Sequence, residues 1–224
     1  MPTADPSRAT TRMTAILTLW GLLAASVAIA SPPDPSHFEC PAPFIQIVGT
    51  DGVVGDPLGE YCVTARDFNN VPITNTPIVI DFSRCDVQLC ADQRDPGVVV
   101  DCISQTVRKL TGANGVACFR VIGKRRGGGC ADAPLPCVEV FWDYPGNLFI
   151  CSLGAAVYDL VNEAGAGVTG NDLSEFLHLF LDCGVYLPAI DYNSNGADDG
   201  DDFSRFLRAF FGGGSAANCE SKCP

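Results

Sequence analysis

Twelve cysteines constrain the fold of this 224-residue chain more than any other feature of its sequence, and all of them follow the first 30 residues. An even number of cysteines in an exported chain indicates disulfide bonds. The alternative is a zinc site, but no Cys-x-x-Cys pair occurs and only His37 and His178 could add imidazole ligands. We therefore expect a disulfide-stabilised protein.

The first 30 residues have the pattern of a secretory signal peptide. Arg8 and Arg12 give a positively charged start, and an apolar run covers residues 13–30. The run ends in Ala28-Ile29-Ala30, the small-x-small pattern that signal peptidase cleaves. The alternative is an uncleaved membrane anchor; no later apolar run reaches the roughly 20 residues that cross a bilayer. The sequence therefore predicts a secreted, extracellular protein with no membrane span after cleavage.

Charge and motifs argue against several function classes. The formal net charge of −12 predicts repulsion from nucleic acid and anionic membranes, and attraction of cations. No Gly-x-Ser-x-Gly or His-Glu-x-x-His motif occurs, and cysteines held in disulfides cannot act as nucleophiles. We expect a protein that is not an enzyme and does not bind nucleic acid.

Short β-type runs dominate the chain after a proline-rich lead-in at 31–43. Apolar and polar side chains alternate along several of these runs, and turn pairs such as Asp51-Gly52 and Asn114-Gly115 separate them. Regularly spaced short strands with such turns predict an antiparallel β-sandwich, which we assign to residues 44–150. The candidate strands are 44–48, 61–67, 78–82, 106–110, 116–122 and 138–142.

Three motifs stand out in this β-type region. They are Asp-Phe-Asn-Asn-Val-Pro-Ile at 67–73, Pro-Ile-Val-Ile-Asp-Phe-Ser at 77–83 and Thr-Gly-Ala-Asn-Gly-Val-Ala-Cys-Phe at 111–119. Together they resemble bacterial immunoglobulin-like domains of the invasin and intimin type (Big-1-like), although Asn70 stands where the family usually has glycine. The resemblance implies an immunoglobulin-like sandwich that serves as a structural or adhesive spacer.

Four cysteine pairs are candidate disulfides, although spacing alone does not determine connectivity. The first pair joins two mid-strand positions and would bridge two sheets. The next two pairs are close enough in sequence to staple loops, and the last would clamp the ends of a helical repeat. The pairs are Cys62–Cys118, Cys85–Cys90, Cys130–Cys137 and Cys183–Cys219.

The basic segment 124–129 allows two interpretations. Its lysine, arginines and glycines could bind phosphate, but it lacks the Gly-Lys-Ser/Thr ending of a P-loop. We therefore predict a solvated hairpin tip.

From about residue 156 the pattern changes, and a loop–helix unit occurs twice. Residues 171–177 align with residues 201–207, which indicates an internal duplication. Each copy has apolar residues at helical spacing, and two such copies can bury these stripes against each other. The stripes are Leu173, Phe176, Leu177 and Phe180 in the first copy, and Phe203, Phe206, Leu207 and Phe210 in the second.

The twelve-residue loop 191–202 has the spacing of a calcium-binding loop. Oxygen-bearing residues occupy positions 1, 3, 5, 9 and 12, and Gly196 at position 6 permits the sharp turn. Its five aspartates would repel each other without a cation; the alternative is an ordinary acidic turn. The predicted calcium ligands are Asp191, Asn193, Asn195, the main-chain carbonyl of Ala197, Asp199 and Asp202.

The duplicated loop–helix arrangement from about residue 158 to 211 resembles a dockerin domain, in which each of two calcium loops precedes a helix. The resemblance implies a small α-helical, calcium-binding domain at 156–219. It also implies a cohesin-like or other cell-surface protein as partner. The candidate partner contacts are Gly170, Asn171, Gly200, Asp201 and Arg208.

The first loop of the pair departs from the dockerin pattern because it is two residues longer. Its oxygen-bearing side chains could still gather a cation, as a weaker second site. The candidate ligands are Asp159, Asn162, Glu163 and Asp172.

These features together predict a secreted, non-catalytic binding or assembly protein. The immunoglobulin-like sandwich would act as a spacer, and the dockerin-like domain would dock to a surface protein through a calcium-dependent fold. Two alternatives stay open at this point. One is a purely structural extracellular protein stabilised by calcium and disulfides; the other is an accessory protein of extracellular polysaccharide degradation.

Overall fold

A computed structural model describes residues 32–47, 59–130, 135–143, 146–161, 163, 167–211 and 223; the predicted signal peptide lies outside this part of the chain. The described residues are mainly β, with ten strands and two α-helices. The strands are β1 (Phe44–Ile47), β2 (Glu60–Thr64), β3 (Pro77–Asp81), β4 (Val87–Leu89), β5 (Val99–Asp101), β6 (Thr106–Leu110), β7 (Val116–Arg120), β8 (Gly123–Arg125), β9 (Val138–Trp142) and β10 (Leu148–Val157). The helices are α1 (Gly170–Asp182) and α2 (Gly200–Phe211).

Three sheets build the β-rich part, which we define as residues 32–157. The largest has six strands in the order β1-β10-β9-β3-β6-β5, with β1 parallel to β10 and the other neighbours antiparallel. The two small antiparallel sheets are β2-β7 and β4-β8. Side chains from all three sheets enter one core, in which Ile80, Leu89 and Phe119 are fully buried. The prediction of a β-rich fold is confirmed.

All six strands predicted from alternation are present. Two of them, 106–110 and 138–142, have the predicted bounds, and the other bounds differ by at most three residues. Residue 48, the predicted end of the first strand, lies outside the described residues. The alternation misses β4, β5 and β8, because three residues give no period. It also misses β10, whose last five residues are all buried.

Asn70 lies in a turn within the first of the three motifs, at 67–73. Its φ is 63°, in the left-handed region. Asparagine tolerates this conformation better than most residues with a side chain, which makes it suited to this turn.

Five disulfides join cysteines of the described residues, so the prediction of a disulfide-stabilised chain is confirmed. Most of them connect segments that are far apart in sequence. The Cys40–Cys151 bond fixes the lead-in to β10. The five bonds are Cys40–Cys151, Cys62–Cys118, Cys85–Cys137, Cys102–Cys223 and Cys130–Cys183.

The predicted Cys62–Cys118 bond forms, but it does not bridge two sheets. Its two cysteines face each other on the paired antiparallel strands β2 and β7. The bond therefore reinforces one small sheet.

The other three predicted pairs are wrong. Cys85 and Cys137, which lie just beyond the paired ends of β3 and β9, bond to each other, which excludes both Cys85–Cys90 and Cys130–Cys137. Cys130 bonds to Cys183, which excludes Cys183–Cys219; Cys219 itself lies outside the described residues. Spacing in sequence favoured short loops, whereas the fold brings distant segments together.

The helical unit, which we define as residues 158–211, packs on the end of β10 through a second apolar core. The helices α1 and α2 form where the apolar spacing predicts them, with the Phe176 and Phe206 ring centroids 4.6 Å apart. Tyr158, which follows β10 directly, stacks on Tyr192 with ring centroids 4.0 Å apart. The strand β10 thus continues past residue 150, the predicted end of the sandwich, and leads into the second core. Neither described helix has the length and apolar character needed to cross a membrane.

The alternation on neighbouring strands β3 and β6 predicts different costs for the same substitution. Val107 is fully buried, whereas Val79 lies on the opposite face of the six-stranded sheet and is partly exposed. We expect Val107→Ala to lower the free energy of unfolding by about 2–3 kcal/mol, and Val79→Ala by less than about 1 kcal/mol. Denaturant titration with the disulfides intact measures both; equal losses would contradict the assignment of the core face.

Candidate functional site

The loop 191–202 is held in its turn by its own side chains. The Asp191 carboxylate accepts hydrogen bonds from the main-chain N–H groups of Asn195 (3.2 Å) and Gly196 (3.0 Å). Asn193 Oδ1 accepts from the Asn195 N–H, and Asn195 Oδ1 accepts from the Ala197 N–H, both at 2.8 Å. Short polar side chains at alternate positions therefore turn their oxygens towards the inside of the loop.

The Asp202 carboxylate closes the loop against the start of α2. Its Oδ1 accepts from the Asn193 N–H and its Oδ2 accepts from the Asp199 N–H, both at 3.0 Å. Asp199 Oδ1 in turn accepts from the Asp201 N–H at 2.8 Å, which caps the first turn of the helix. Positions 3, 9 and 12 of the loop are thus linked by direct hydrogen bonds, and position 1 is bonded to the N–H groups of positions 5 and 6.

The two ends of the loop bury negative charge. Asp191 and Asp202 are both 0% exposed, and no lysine or arginine of the described residues forms an ion pair with either of them. An ionised carboxylate offers about four acceptor sites. Asp202 accepts two hydrogen bonds, and Asp191 accepts three because the Tyr186 hydroxyl adds a bond of 2.7 Å. Both carboxylates therefore retain lone pairs that can bind a cation.

The pKa shifts reflect this arrangement. Burial raises the pKa of Asp202, and the nearby charges of Asp191 and Asp199 raise it further, against the opposing effect of its two N–H bonds. Asp199 differs, because hydrogen bonds from the Asn195 amide and from main-chain N–H groups lower its pKa. Burial and the hydrogen bond to Asp191 raise the pKa of Tyr186, so this tyrosine stays a neutral donor. A cation between the carboxylates would relieve the repulsion that raises the pKa of Asp202.

The donor set of the loop suits a hard cation. It consists of carboxylate, amide and main-chain oxygens, without thiolate or imidazole, and such oxygens are the ligands of calcium rather than of zinc. Asp199 differs from Asp191 and Asp202 because it accepts a hydrogen bond from a side-chain amide: its Oδ2 accepts from Asn195 Nδ2 at 2.9 Å. Among the described residues no three carboxylates of this loop lie within 4.8 Å of one another, and its buried carboxylates are Asp191 and Asp202 at the two ends.

The first loop is built differently around the Asp172 carboxylate. Its Oδ1 accepts from the N–H groups of Leu160 (2.7 Å) and Val161 (2.9 Å). Its Oδ2 accepts from the N–H (2.7 Å) and the hydroxyl (2.9 Å) of Thr169. These four bonds use the acceptor capacity of Asp172, which therefore lacks lone pairs for a metal ion.

A lysine from the β-rich part enters this first loop. The Lys124 ammonium lies 3.9 Å from Asp159 Oδ2 and donates a 2.5 Å hydrogen bond to the main-chain oxygen of Glu163. Both Lys124 and Arg125 are 0% exposed, so the prediction of a solvated hairpin tip at 124–129 is wrong for these two residues. Their charges are paired with aspartates that are distant in sequence. Asn162, the remaining predicted ligand of this loop, lies outside the described residues.

The predicted partner contacts lie on the surface of the helical unit. Arg208 faces a groove of about 570 Å³ between α2, the start of β1 and the second loop. Tyr192, Asn193 and Arg205 also line this groove. All five predicted contacts are exposed: Gly170, Asn171, Gly200, Asp201 and Arg208.

Two further groups of metal-ligating side chains occur among the described residues. One contains Cys130, His178 and Cys183, and the other contains two cysteines with Glu60. In both groups the two cysteines are bonded to each other, so their sulfurs are not thiolates. His178 lies on the exposed side of α1, with its Nδ1 3.1 Å from Asp182 Oδ2.

Sequence reasoning missed two residues that shape the loops. Tyr186 lies five residues before the second loop, and only its hydrogen bond to Asp191 reveals a role. Lys124 lies far upstream of the first loop, in a segment whose basic composition suggested solvent exposure. Lys124 is buried and Tyr186 is 39% exposed, and neither residue has a characteristic spacing from the loop it contacts, so no signal in the sequence marks them.

The chain was compared with protein families, curated proteins and solved structures. No protein-family model, no curated protein and no solved structure matches the chain.

The turn at Gly196 gives a test of the loop geometry. Its φ is +84°, and no atom would obstruct a Cβ, so the cost of a side chain there is conformational. We expect Gly196→Ala to lower the stability of the helical unit by about 1–2 kcal/mol. Gly200→Ala is the matched control, because Gly200 also has open space but starts α2, where alanine is favourable. Thermal unfolding followed by circular dichroism measures both, and equal effects would contradict the proposed backbone requirement.

Proposed function

We propose that this protein is a secreted, non-catalytic binding or assembly protein whose helical unit binds one calcium ion in the loop 191–202. The single observation that carries the proposal is the pair Asp191 and Asp202. Both carboxylates are fully buried, retain acceptor sites, and form no ion pair with any described lysine or arginine. Burying two like charges without a counter-charge is strongly unfavourable, so a bound cation is the simplest compensation.

Calcium fits the loop better than the other common divalent ions. Its six to eight oxygen ligands can come from aspartate, asparagine and main-chain groups in a flexible arrangement. Magnesium requires a near-ideal octahedron and prefers to keep its waters, whereas zinc prefers imidazole and thiolate. The two histidines do not enter the loop: His37 Nδ1 contacts the main-chain oxygen of Asp67, and His178 contacts Asp182.

The fold supports the two resemblances on which the assembly function rests. The β-rich part has paired antiparallel strands around one shared core, features that an immunoglobulin-like spacer also has; its parallel β1-β10 pair is not one of them. The helical unit has two loop–helix copies packed through their aromatic side chains, which agrees with the arrangement that the dockerin resemblance implies. Five disulfides are typical of an oxidising compartment, which supports secretion.

The surface of the helical unit supports docking to another protein. Leu181 and Val185, at the end of α1 and just after it, are 68% and 60% exposed. Arg208 on α2 adds a charged group beside the second loop, and arginine often anchors protein interfaces. Exposed apolar side chains at one place on the unit and an exposed arginine at another favour a protein partner, cohesin-like or otherwise, over a small ligand.

A second candidate function is a purely structural one, and a specific observation favours it. The helical unit is fastened to the β-rich part by the Cys130–Cys183 disulfide and by the 2.5 Å hydrogen bond from Gln46 Nε2 to the Tyr192 main-chain oxygen. Calcium would then only stabilise a rigid extracellular protein, and the outward surface would have no partner.

Calcium binding is tested by removing the two buried charges. We expect Asp191→Asn with Asp202→Asn to lower calcium affinity at least about 100-fold, because the amides keep the shape but lose the attraction. The matched control is Asp201→Asn, an exposed aspartate in the same loop, which should leave affinity within about threefold. Isothermal titration calorimetry of the full chain measures all three proteins. Unchanged affinity in the double variant would remove the calcium assignment.

Docking is tested by capture of envelope and secreted proteins on the immobilised chain, with calcium or with a chelator. We expect a protein that is retained only in calcium, and whose affinity falls about tenfold with Arg208→Ala. Arg84→Ala is the control, because Arg84 is exposed on the β-rich part and forms only a surface ion pair with Glu139. If nothing is retained in calcium by any of these proteins, the structural function is favoured instead.

A further inference from the structure

In both loop–helix copies, an aspartate at the third position of the helix accepts a main-chain hydrogen bond from the preceding loop. Asp172 is the third residue of α1 and Asp202 is the third residue of α2. Each carboxylate accepts, through Oδ2, the N–H of the residue three positions earlier, which is Thr169 at 2.7 Å or Asp199 at 3.0 Å. The helix starts of the two copies are therefore equivalent in their contacts as well as in sequence.

The residues at the start of the two loops also correspond in their contacts, although the first loop is longer. Asp172 accepts, through Oδ1, the N–H of Val161, and Asp202 accepts the N–H of Asn193 in the same way. Val161 comes two residues after Asp159, as Asn193 comes two residues after Asp191. The buried Asp159 is therefore the counterpart of Asp191 at position 1 of the loop. By the same count Glu163 corresponds to position 5.

We propose that the Lys124 ammonium takes the place of a metal ion in the first loop, so that the chain binds one calcium ion instead of two. The ammonium contacts the residues at positions 1 and 5, the Asp159 carboxylate at 3.9 Å and the Glu163 main-chain oxygen at 2.5 Å. The count of one ion rests on the proposed function of the second loop. The replacement of metal by lysine in the first loop does not.

The number of oxygen ligands decides between an ammonium and calcium in this position. Calcium needs six to eight oxygens, whereas an ammonium has three donors. The first loop has an apolar residue, Val161, at position 3, and Asp172 at the last position already accepts four hydrogen bonds. The described part of this loop can thus satisfy a lysine but not a calcium ion.

The lysine in the first loop comes from the β-rich part of the chain. Lys124 belongs to β8, which pairs with β4 in the β-rich part. The neighbouring Arg125 N–H donates a 2.8 Å hydrogen bond to the Asp159 main-chain oxygen, so β8 and the first loop meet directly. The cation of the first loop is therefore supplied by the β-rich part, and it orients the helical unit on that part.

A double-mutant cycle tests the ammonium. Lys124→Met and Asp159→Asn each leave one buried charge without its counter-charge, and each should raise the unfolding equilibrium constant about 100-fold or more. The double variant buries neither charge, so it should recover at least about tenfold relative to the product of the two single effects. Denaturant unfolding in calcium, with the disulfides intact, measures the cycle. If the single effects simply multiply, Lys124 is not the cation of this loop.

The matched control is the cycle Lys109→Met with Asp95→Asn. This ion pair of 2.9 Å lies in the β-rich part and is more accessible to water on its lysine side, so its coupling should be smaller. Coupling as large as that of Lys124 and Asp159 would count against a special role for the buried lysine.

Native mass spectrometry of the full chain in calcium counts the ions directly, even if the Lys124 variant fails to fold. One bound ion, lost in Asp191→Asn with Asp202→Asn, is the expected result. Two ions in the unaltered chain would overturn the inference. No bound ion would overturn the proposed calcium site alone, and the mutant cycle would then decide the role of Lys124 by itself.

Discussion

Compensation of buried carboxylate charge governs how the helical unit is built. Asp159, Asp172, Asp191 and Asp202 are nearly or fully removed from water, and a carboxylate in that position needs hydrogen-bond donors or a counter-charge. Main-chain N–H groups at the start of α1 and α2 supply part of this need, because helix starts have unpaired donors and a positive end of the dipole. Each helix therefore begins where the carboxylate of its aspartate is satisfied, and the aromatic core packs between the two helices.

The same requirement explains why the helical unit does not behave as a separate module on a linker. Its first loop takes its positive charge from Lys124 of the β-rich part, and β10 passes from the shared sheet into Tyr158 of the second core. The Cys130–Cys183 disulfide adds a covalent connection at the far end of α1. Because these three connections involve different segments, the helical unit presents a fixed face to solvent. A partner would meet a preorganised surface, which lowers the entropic cost of binding.

Hydrophobic periodicity in the sequence predicted strands and helices. It did not predict contacts between segments that are distant in sequence. Alternation and helical spacing predicted six strands and both helices, since each depends only on which neighbouring side chains are buried. The strand β10 escaped because it is buried on both sides near its end, where Gly154 is required by the Phe44 ring that would collide with any Cβ. The disulfide partners and the role of Lys124 could not be predicted for a different reason. Two residues that meet across the fold have no characteristic spacing in the sequence. The loop 191–202 could be selected as a candidate metal-binding loop because all its oxygen-bearing side chains lie within twelve residues.

The difference between the two loops bears on which surface calcium can control. The first loop is complete without metal, since Asp172 is saturated by its own loop and Lys124 provides the positive charge. The structure around α1, including the exposed Leu181, should therefore persist when calcium is removed. If the loop 191–202 binds calcium as proposed, only the second loop and the start of α2 would need the metal ion to balance Asp191 and Asp202. A calcium-dependent partner would then contact the surface next to α2, where Arg208 lines the groove, rather than the apolar end of α1.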